Sequence, residues 1–421
     1  MSAHGIRSLS CSFAIVALSG DPRPAAAAHD AWIATWAASM SAAEPDPDEP
    51  LLKIDDQTVR QRVRVSVGGT RVCVRLSNEF GTAPVVVGAA TVAEPAGAAA
   101  VKADSVRGLT FGGRGSVTIA AGAPALSDPV DFPVAAGAEI SISLYFPKRI
   151  ARPTLHALAL KRAVVSRRGD HTHAEKIDGG AESESWFLVS AVLVPAEASR
   201  RLVVALGDSI TDGAGSSPEG DQTWPAELAR RLAKTPAGAG VAVVNTGMGG
   251  NRLLRDGPFA EFGVSALARF DRDALGLPGV THVVLLEGIN DIGMPGAVRD
   301  GRRLADPADA PTADDLIDGY RQLVTRARVR GVKMIGATIP PFAGMKRPGY
   351  YSESKEATRQ ALNKWIRTGG AFDAVIDFDA ILRDPERPLQ LLPKFASDDH
   401  FHPNDEGYRA VAEAVDPAIF Q

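Results

Sequence analysis

The chain predicts two different kinds of fold in succession. A β-rich front half of sandwich or jelly-roll type precedes an α/β back half, a three-layer doubly wound parallel sheet. Three observations carry this. From about residue 60 to 195 apolar and polar residues alternate with period two between glycine-rich turns. From residue 201 onward short apolar runs alternate with stretches of helical spacing. The length, 421 residues, exceeds what one ordinary core organises. The predicted division is 1–28 as a signal peptide or disordered extension, 29–198 as the β-rich domain and 199–421 as the α/β domain.

In the front half, 62–67 and 70–76 alternate on either side of Gly68-Gly69, the pattern of a β-hairpin. Further strands are predicted at 84–92, 106–111, 116–120, 139–146 and 186–194. In the back half, 201–206 is an apolar run suited to a parallel strand buried on both faces. A helix follows at 223–232, with Trp224, Leu228 and Leu232 on one face. Strands are then predicted at 241–245, 282–287, 332–338 and 374–378, and helices at 313–329, 354–367 and 404–415. Ligands of such a sheet lie beyond the carboxyl ends of its strands.

Composition narrows the classes. The chain is 45% hydrophobic and 23% charged, with a net charge of −4. It lacks the clustered basic excess of a nucleic-acid binder. No stretch reaches the roughly 18 consecutive apolar residues that an integral membrane helix needs. The two cysteines, Cys11 and Cys73, stand in no metal or disulfide pattern, and Cys73 reads as a buried thiol in a strand. Arg7, the apolar run 9–18 and the alanines 25–28 resemble a secretory leader, so export to a periplasmic or extracellular space is expected. His171 and His173 read as part of a solvated loop rather than a metal site.

Polar residues gather at the predicted strand ends. Gly207-Asp208-Ser209 follows the first strand, where a small residue permits a sharp turn and a serine can face the crevice. Taken alone, that serine reads first as a helix N-cap. The second strand is followed by Asn245-Thr246-Gly247-Met248-Gly249-Gly250-Asn251-Arg252, whose glycines let backbone N–H groups approach a ligand. Gly288-Ile289-Asn290-Asp291 follows the third and supplies a carboxamide. Asp399-His400-Phe401-His402 precedes the last helix; its Asp and His, three apart, suit one side of a helical turn. Together these are the parts for acyl transfer: nucleophile, base, orienting carboxylate and oxyanion donors. Acyl transfer by such a set requires neither a metal nor an organic cofactor.

The four blocks, in this order and context, resemble the SGNH (GDSL-like) hydrolases. The resemblance covers about 201–421, with Gly-Asp-Ser-Ile standing where many members carry Gly-Asp-Ser-Leu. It implies Ser209 as nucleophile, His402 as base and Asp399 as its partner. The oxyanion hole would be formed by the N–H groups of Ser209 and Gly250 and the Asn290 amide. Gly247 and Gly249 compete with Gly250, Asp398 with Asp399 and His400 with His402. Arg252 and Glu287 flank the site as possible substrate-binding residues. Ala31-Trp32-Ile33-Ala34-Thr35-Trp36 and the stretch 72–81 resemble exported members with a β-rich domain before the hydrolase core. In that setting Trp32 and Trp36 suit core packing or an interface anchor. The implied function is a serine esterase acting through an acyl-enzyme on a small-molecule or carbohydrate ester, short acyl groups such as O-acetyl first. The alternatives are lipase-like or acyltransferase activity with the same triad, or a non-catalytic carbohydrate-binding protein.

Overall fold

The back half is built on five parallel strands, in the spatial order Val241–Gly247, Arg201–Gly207, Val280–Leu286, Lys333–Ala337 and Ala374–Ile376. Leu202 to Leu206 are wholly buried, which accounts for their continuous apolar character. The order turns around at Arg201–Gly207: one neighbour follows it directly in sequence and the other is the third strand. That reversal opens a crevice at the carboxyl edge. Gly207 lies level with Gly247 on one side and Leu286 on the other, so three loops leave the sheet at one height.

Eight helices are used below: α1 (Ser209–Asp212), α2 (Trp224–Leu232), α3 (Ala266–Phe270), α4 (Ile289–Gly293), α5 (Ala313–Val329), α6 (Glu353–Thr368), α7 (Phe378–Leu382) and α8 (Asp405–Ala414). The long helices fall within a residue or two of the expected positions because their ends are written in side chains. Thr312 and Asp315 form a reciprocal capping box on α5. Thr223, Ser352 and Asn404 cap α2, α6 and α8. Leu316, Tyr320, Leu323 and Ala327 give α5 its buried stripe. The fifth strand stops at Ile376 instead of 378, because the Asp377 side chain accepts from the Ala380 N–H and starts α7.

This computed structural model describes residues 31–43, 54–150, 152–196, 200–238 and 240–421. The expected leader and Cys11 lie outside the described residues. Within the front half a five-stranded antiparallel sheet includes Trp32–Ala37, Gly69–Ser77 and Val189–Pro195. A six-stranded one includes Gln57–Arg64, Glu139–Phe146 and Ala163–Arg168.

The hairpin expected around Gly68-Gly69 does not form. Gln57–Arg64 pairs with Glu139–Phe146, whereas Gly69–Ser77 pairs with Val189–Pro195, so the chain crosses from one sheet to the other. A two-residue hairpin of the favoured type I′ needs positive φ at both central residues. Neither Gly68 nor Gly69 has it. Their role is close approach: a Cβ on Gly68 would meet the Val134 carbonyl oxygen at 2.4 Å, and one on Gly69 the Val194 Cβ at 2.7 Å.

The two halves pack into one compact unit from Ala31 to Gln421. Trp32–Ala37 lies at their junction: the Ala34 N–H donates to the Pro278 carbonyl, and Gly279 has room for no side chain against Ile33. Trp36 meets Trp186 edge to face at 4.9 Å. No described helix is long and apolar enough to cross a membrane.

Candidate active site

Ser209 opens α1 directly after the first strand. The turn depends on Gly207, where a Cβ would meet the Leu286 carbonyl oxygen at 2.5 Å. Asp208 caps α1, its carboxylate accepting from the Ile210 N–H at 2.9 Å. The capping role is thus filled by Asp208, which leaves the Ser209 hydroxyl free for His402: Oγ lies 2.8 Å from Nε2. His402 Nδ1 lies 2.5 Å from Asp399 Oδ2. Nδ1 beside a carboxylate carries the proton, so Nε2 presents its lone pair to the serine hydroxyl.

Asp399 and His402 do not share a helical turn as expected. They sit in a tight loop before α8, with His400 at φ +57°. Asp399 Oδ1 organises that loop, accepting from the N–H groups of Phe401 and His402 and from Ser397 Oγ, each at 2.9 Å. Burial alone would raise the Asp399 carboxyl. The hydrogen bond and charge of His402 and the two backbone N–H groups outweigh it and hold the group well below the usual carboxylate range.

In the glycine turn two of the three candidate amides are already hydrogen-bonded. The Gly247 N–H is taken by Asn245 Oδ1 and the Gly249 N–H by Asp212 Oδ2, both at 2.8 Å. Met248 O accepts from the Asn251 N–H at 3.1 Å and closes a turn around Gly249 and Gly250, the latter at φ +74°. Neither the Gly250 N–H nor the Ser209 N–H has an acceptor among the described residues. Asn290 Nδ2 donates to the Asn251 carbonyl at 2.9 Å, and Oδ1 accepts from the Tyr350 hydroxyl at 2.8 Å. One amide hydrogen of Asn290 is left over.

Residues 205–410 match the model of the GDSL-like lipase/acylhydrolase family. Those residues form a GDSL-like lipase/acylhydrolase domain. The GDSL-like domain makes the chain a carboxylic ester hydrolase. No curated protein matches the chain. Among solved structures it resembles a carbohydrate acetylesterase family member from Sinorhizobium meliloti (18% identity, 52% of this chain and 97% of that one, TM-score 0.39). It also resembles an acetyl xylan esterase, AlAXEase (18%, 51% and 96%, TM-score 0.36). A third is a GDSL-like lipase from Bacteroides thetaiotaomicron (18%, 52% and 87%, TM-score 0.37).

Beneath the crevice of the GDSL-like domain lies a layer that sequence reasoning did not find. Arg269, on α3, is wholly buried. Its guanidinium donates at 2.8 Å to the carbonyls of Gly207 and Thr246, to Asn251 Oδ1 and to Ser39 Oγ. It thereby ties the strand before Ser209, the glycine turn and the front half together. Glu287 lies against Arg269 at 3.3 Å and is also wholly buried. Glu287 is therefore set beneath the site, the supporting one of the two roles open to it from sequence. Arg252 is buried too, its Nε without a hydrogen-bond partner. Burial raises Asp208 to about 7 and Asp291 to about 6, and the Asp208 charge adds to burial in raising Glu287. Asp291 accepts from the N–H groups of Leu253 and Leu254 and so holds the segment after the glycine turn.

Proposed function

We propose that the enzyme hydrolyses carboxylic esters through an acyl-enzyme on Ser209. The observation that carries this reading is the unbroken chain from Ser209 Oγ through His402 to Asp399, at 2.8 and 2.5 Å. Ser209 Oγ attacks the ester carbonyl while His402 Nε2 takes its proton. The negative oxygen is received by the Ser209 and Gly250 N–H groups and the spare Asn290 amide hydrogen, three donors that exist before the substrate arrives. Collapse expels the alcohol, protonated by His402. Water, deprotonated by the same imidazole, then releases the acid and restores the serine.

Short acyl groups are the expected substrates from the resemblance of the front half to exported members of the family, with O-acetylated carbohydrate as the first to try. The Phe262 ring lies against Gly250, where a Cβ would meet it at 2.3 Å, so the oxyanion turn is walled by an aromatic side chain. Phe259 and Phe262 are half-buried and meet edge to face at 5.2 Å, with Arg302 over the Phe259 ring at 4.8 Å. Half-buried rings of this kind offer an apolar face on which the C–H groups of a sugar can pack. The test is Ser209→Ala, assayed on p-nitrophenyl esters of increasing chain length and on acetylated xylan. The variant is expected to fold and to lose turnover, and the wild type to favour acetyl. Full activity in Ser209→Ala overturns the mechanism; a preference for long chains overturns the substrate class.

A further inference from the structure

The β-rich half reaches α1 through a buried side chain, His156. Its strand, Thr154–His156, belongs to a small antiparallel sheet with Ser41–Ala42 and Trp186–Phe187. The ring is almost wholly buried and stacks on Trp186 with centroids 5.4 Å apart. Both ring nitrogens face acceptors only. Nδ1 lies 2.8 Å from the Ser39 carbonyl; Nε2 lies 3.0 Å from Asp212 Oδ1 and 3.1 Å from the Leu158 carbonyl. A ring that must donate from both nitrogens is an imidazolium. Burial lowers its pKa, but the Asp212 charge and these acceptors prevail and raise it above the ordinary histidine value.

Asp212 is the last residue of α1, three after the nucleophile. Its other oxygen, Oδ2, accepts from the Gly249 N–H at 2.8 Å. The carboxylate thus stands between a cation from the front half and the first glycine of the oxyanion turn. That turn is held at three points: the Met248 N–H on the Gly207 carbonyl at 3.0 Å, the Gly249 N–H on Asp212, and the Asn251 N–H on Met248 O. The Gly250 N–H is the amide left unclaimed.

We propose that His156 and Asp212 are positioning residues for the oxyanion turn: the front half, through His156, fixes Asp212 where its free oxygen orients the Gly249 peptide, and so aims the Gly250 N–H at the reacting oxygen. Neither residue touches substrate. The inference rests on the reading of Gly250 as an oxyanion donor, and it gives the β-rich half a part in turnover.

The experiment compares Asp212→Ala, Asp212→Asn and His156→Gln in the full chain. It measures kcat and KM on p-nitrophenyl acetate and the Kd of a phenylboronic acid, whose tetrahedral serine adduct needs the oxyanion donors that a bound ester does not. Loss of an oriented oxyanion donor costs about 10²–10³ in kcat, and a misaimed one less, so Asp212→Ala is expected to lose about 10–100-fold in kcat. KM stays within about twofold and the boronate Kd rises in step with the loss of kcat. Asp212→Asn keeps a carbonyl for the Gly249 N–H and an amide for a neutral His156, and is expected to recover most of the loss. His156→Gln keeps one neutral donor and is expected to lose about 3–10-fold; it carries the test if Asp212→Ala does not fold. A kcat within about threefold of wild type in both Asp212→Ala and His156→Gln overturns the proposal. So does an Asp212→Asn variant as impaired as Asp212→Ala, or a loss that falls on KM with the boronate Kd unchanged. Ser209→Ala in the same assay separates the two readings. If it stays active, the esterase mechanism itself falls; if it is inactive while the Asp212 and His156 variants are unimpaired, only the positioning role falls.

Discussion

Tyr350→Phe tests whether the Asn290 amide owes its orientation to a single phenol. Tyr350 is wholly buried, and its hydroxyl donates to Asn290 Oδ1 at 2.8 Å. On the other side Asn290 Nδ2 is pinned to the Asn251 carbonyl at 2.9 Å. These two bonds decide which amide hydrogen faces the crevice. Removing the hydroxyl leaves Oδ1 buried without a donor, which costs about 1–3 kcal/mol. The amide relieves that by rotating away from its working position. At about 1.4 kcal/mol per tenfold in rate, the expected fall in kcat is about 5–100-fold. The ceiling is the loss of an entire oxyanion donor, about 10²–10³-fold. Burial first, and then the nearby Asp208 charge, push the phenol far above its ordinary pKa, so it stays a donor across any assay range. The assay is kcat on p-nitrophenyl acetate for wild type, Tyr350→Phe, Asn290→Ala and the double variant. If Tyr350 acts through Asn290, the double variant equals Asn290→Ala. A Tyr350→Phe rate within about twofold of wild type, or losses that multiply in the double variant, would mean that Asn290 is oriented without Tyr350.

Asp399→Asn removes the carboxylate that fixes the His402 tautomer, and kcat is expected to fall by about 10³–10⁴-fold with the fold retained by circular dichroism; a loss under about tenfold would mean that the orienting group lies elsewhere. Stability should fall as pH rises toward neutrality, because burial raises Asp208 to about 7 and Asp291 to about 6. The folded state holds protons that the unfolded chain has released above about pH 4, so this contribution is full below that pH and lost as pH climbs through the raised values. Asp208→Asn is expected to shrink the drop in Tm between pH 5 and 8, measured by calorimetry; an unchanged drop contradicts the assignment.

Much of the back half is written locally. Its strands are apolar runs because both faces are buried, its helices carry their caps in sequence, and the polar blocks stand where strands end. Ser209, Gly250, Asn290, Asp399 and His402 could be proposed for that reason: each stands beside an element boundary that the sequence marks. The contest among Gly247, Gly249 and Gly250 could not be decided there, since it turns on which amide is already occupied by Asn245 or Asp212. Gly68-Gly69 misled because alternation and paired glycines look the same whether a chain folds back on itself or crosses between sheets. For Glu287 the strand pattern leaves two roles open, because it says that a carboxylate sits near the crevice but not on which side of the sheet edge its oxygens lie.

The two-part order of β-rich and α/β segments, the strand–helix alternation and the residue types gathered at one sheet edge are legible in the chain, since these depend on neighbours a few positions apart. Tertiary structure alone decided how that edge is held rigid. Arg269 reaches Gly207 62 residues away, Tyr350 reaches Asn290 across 60, and His156 reaches Asp212 across 56. A hydrogen bond formed across such a loop leaves no periodicity and no motif in the chain; only burial, which makes an unpaired charge or amide costly, brings its partners together.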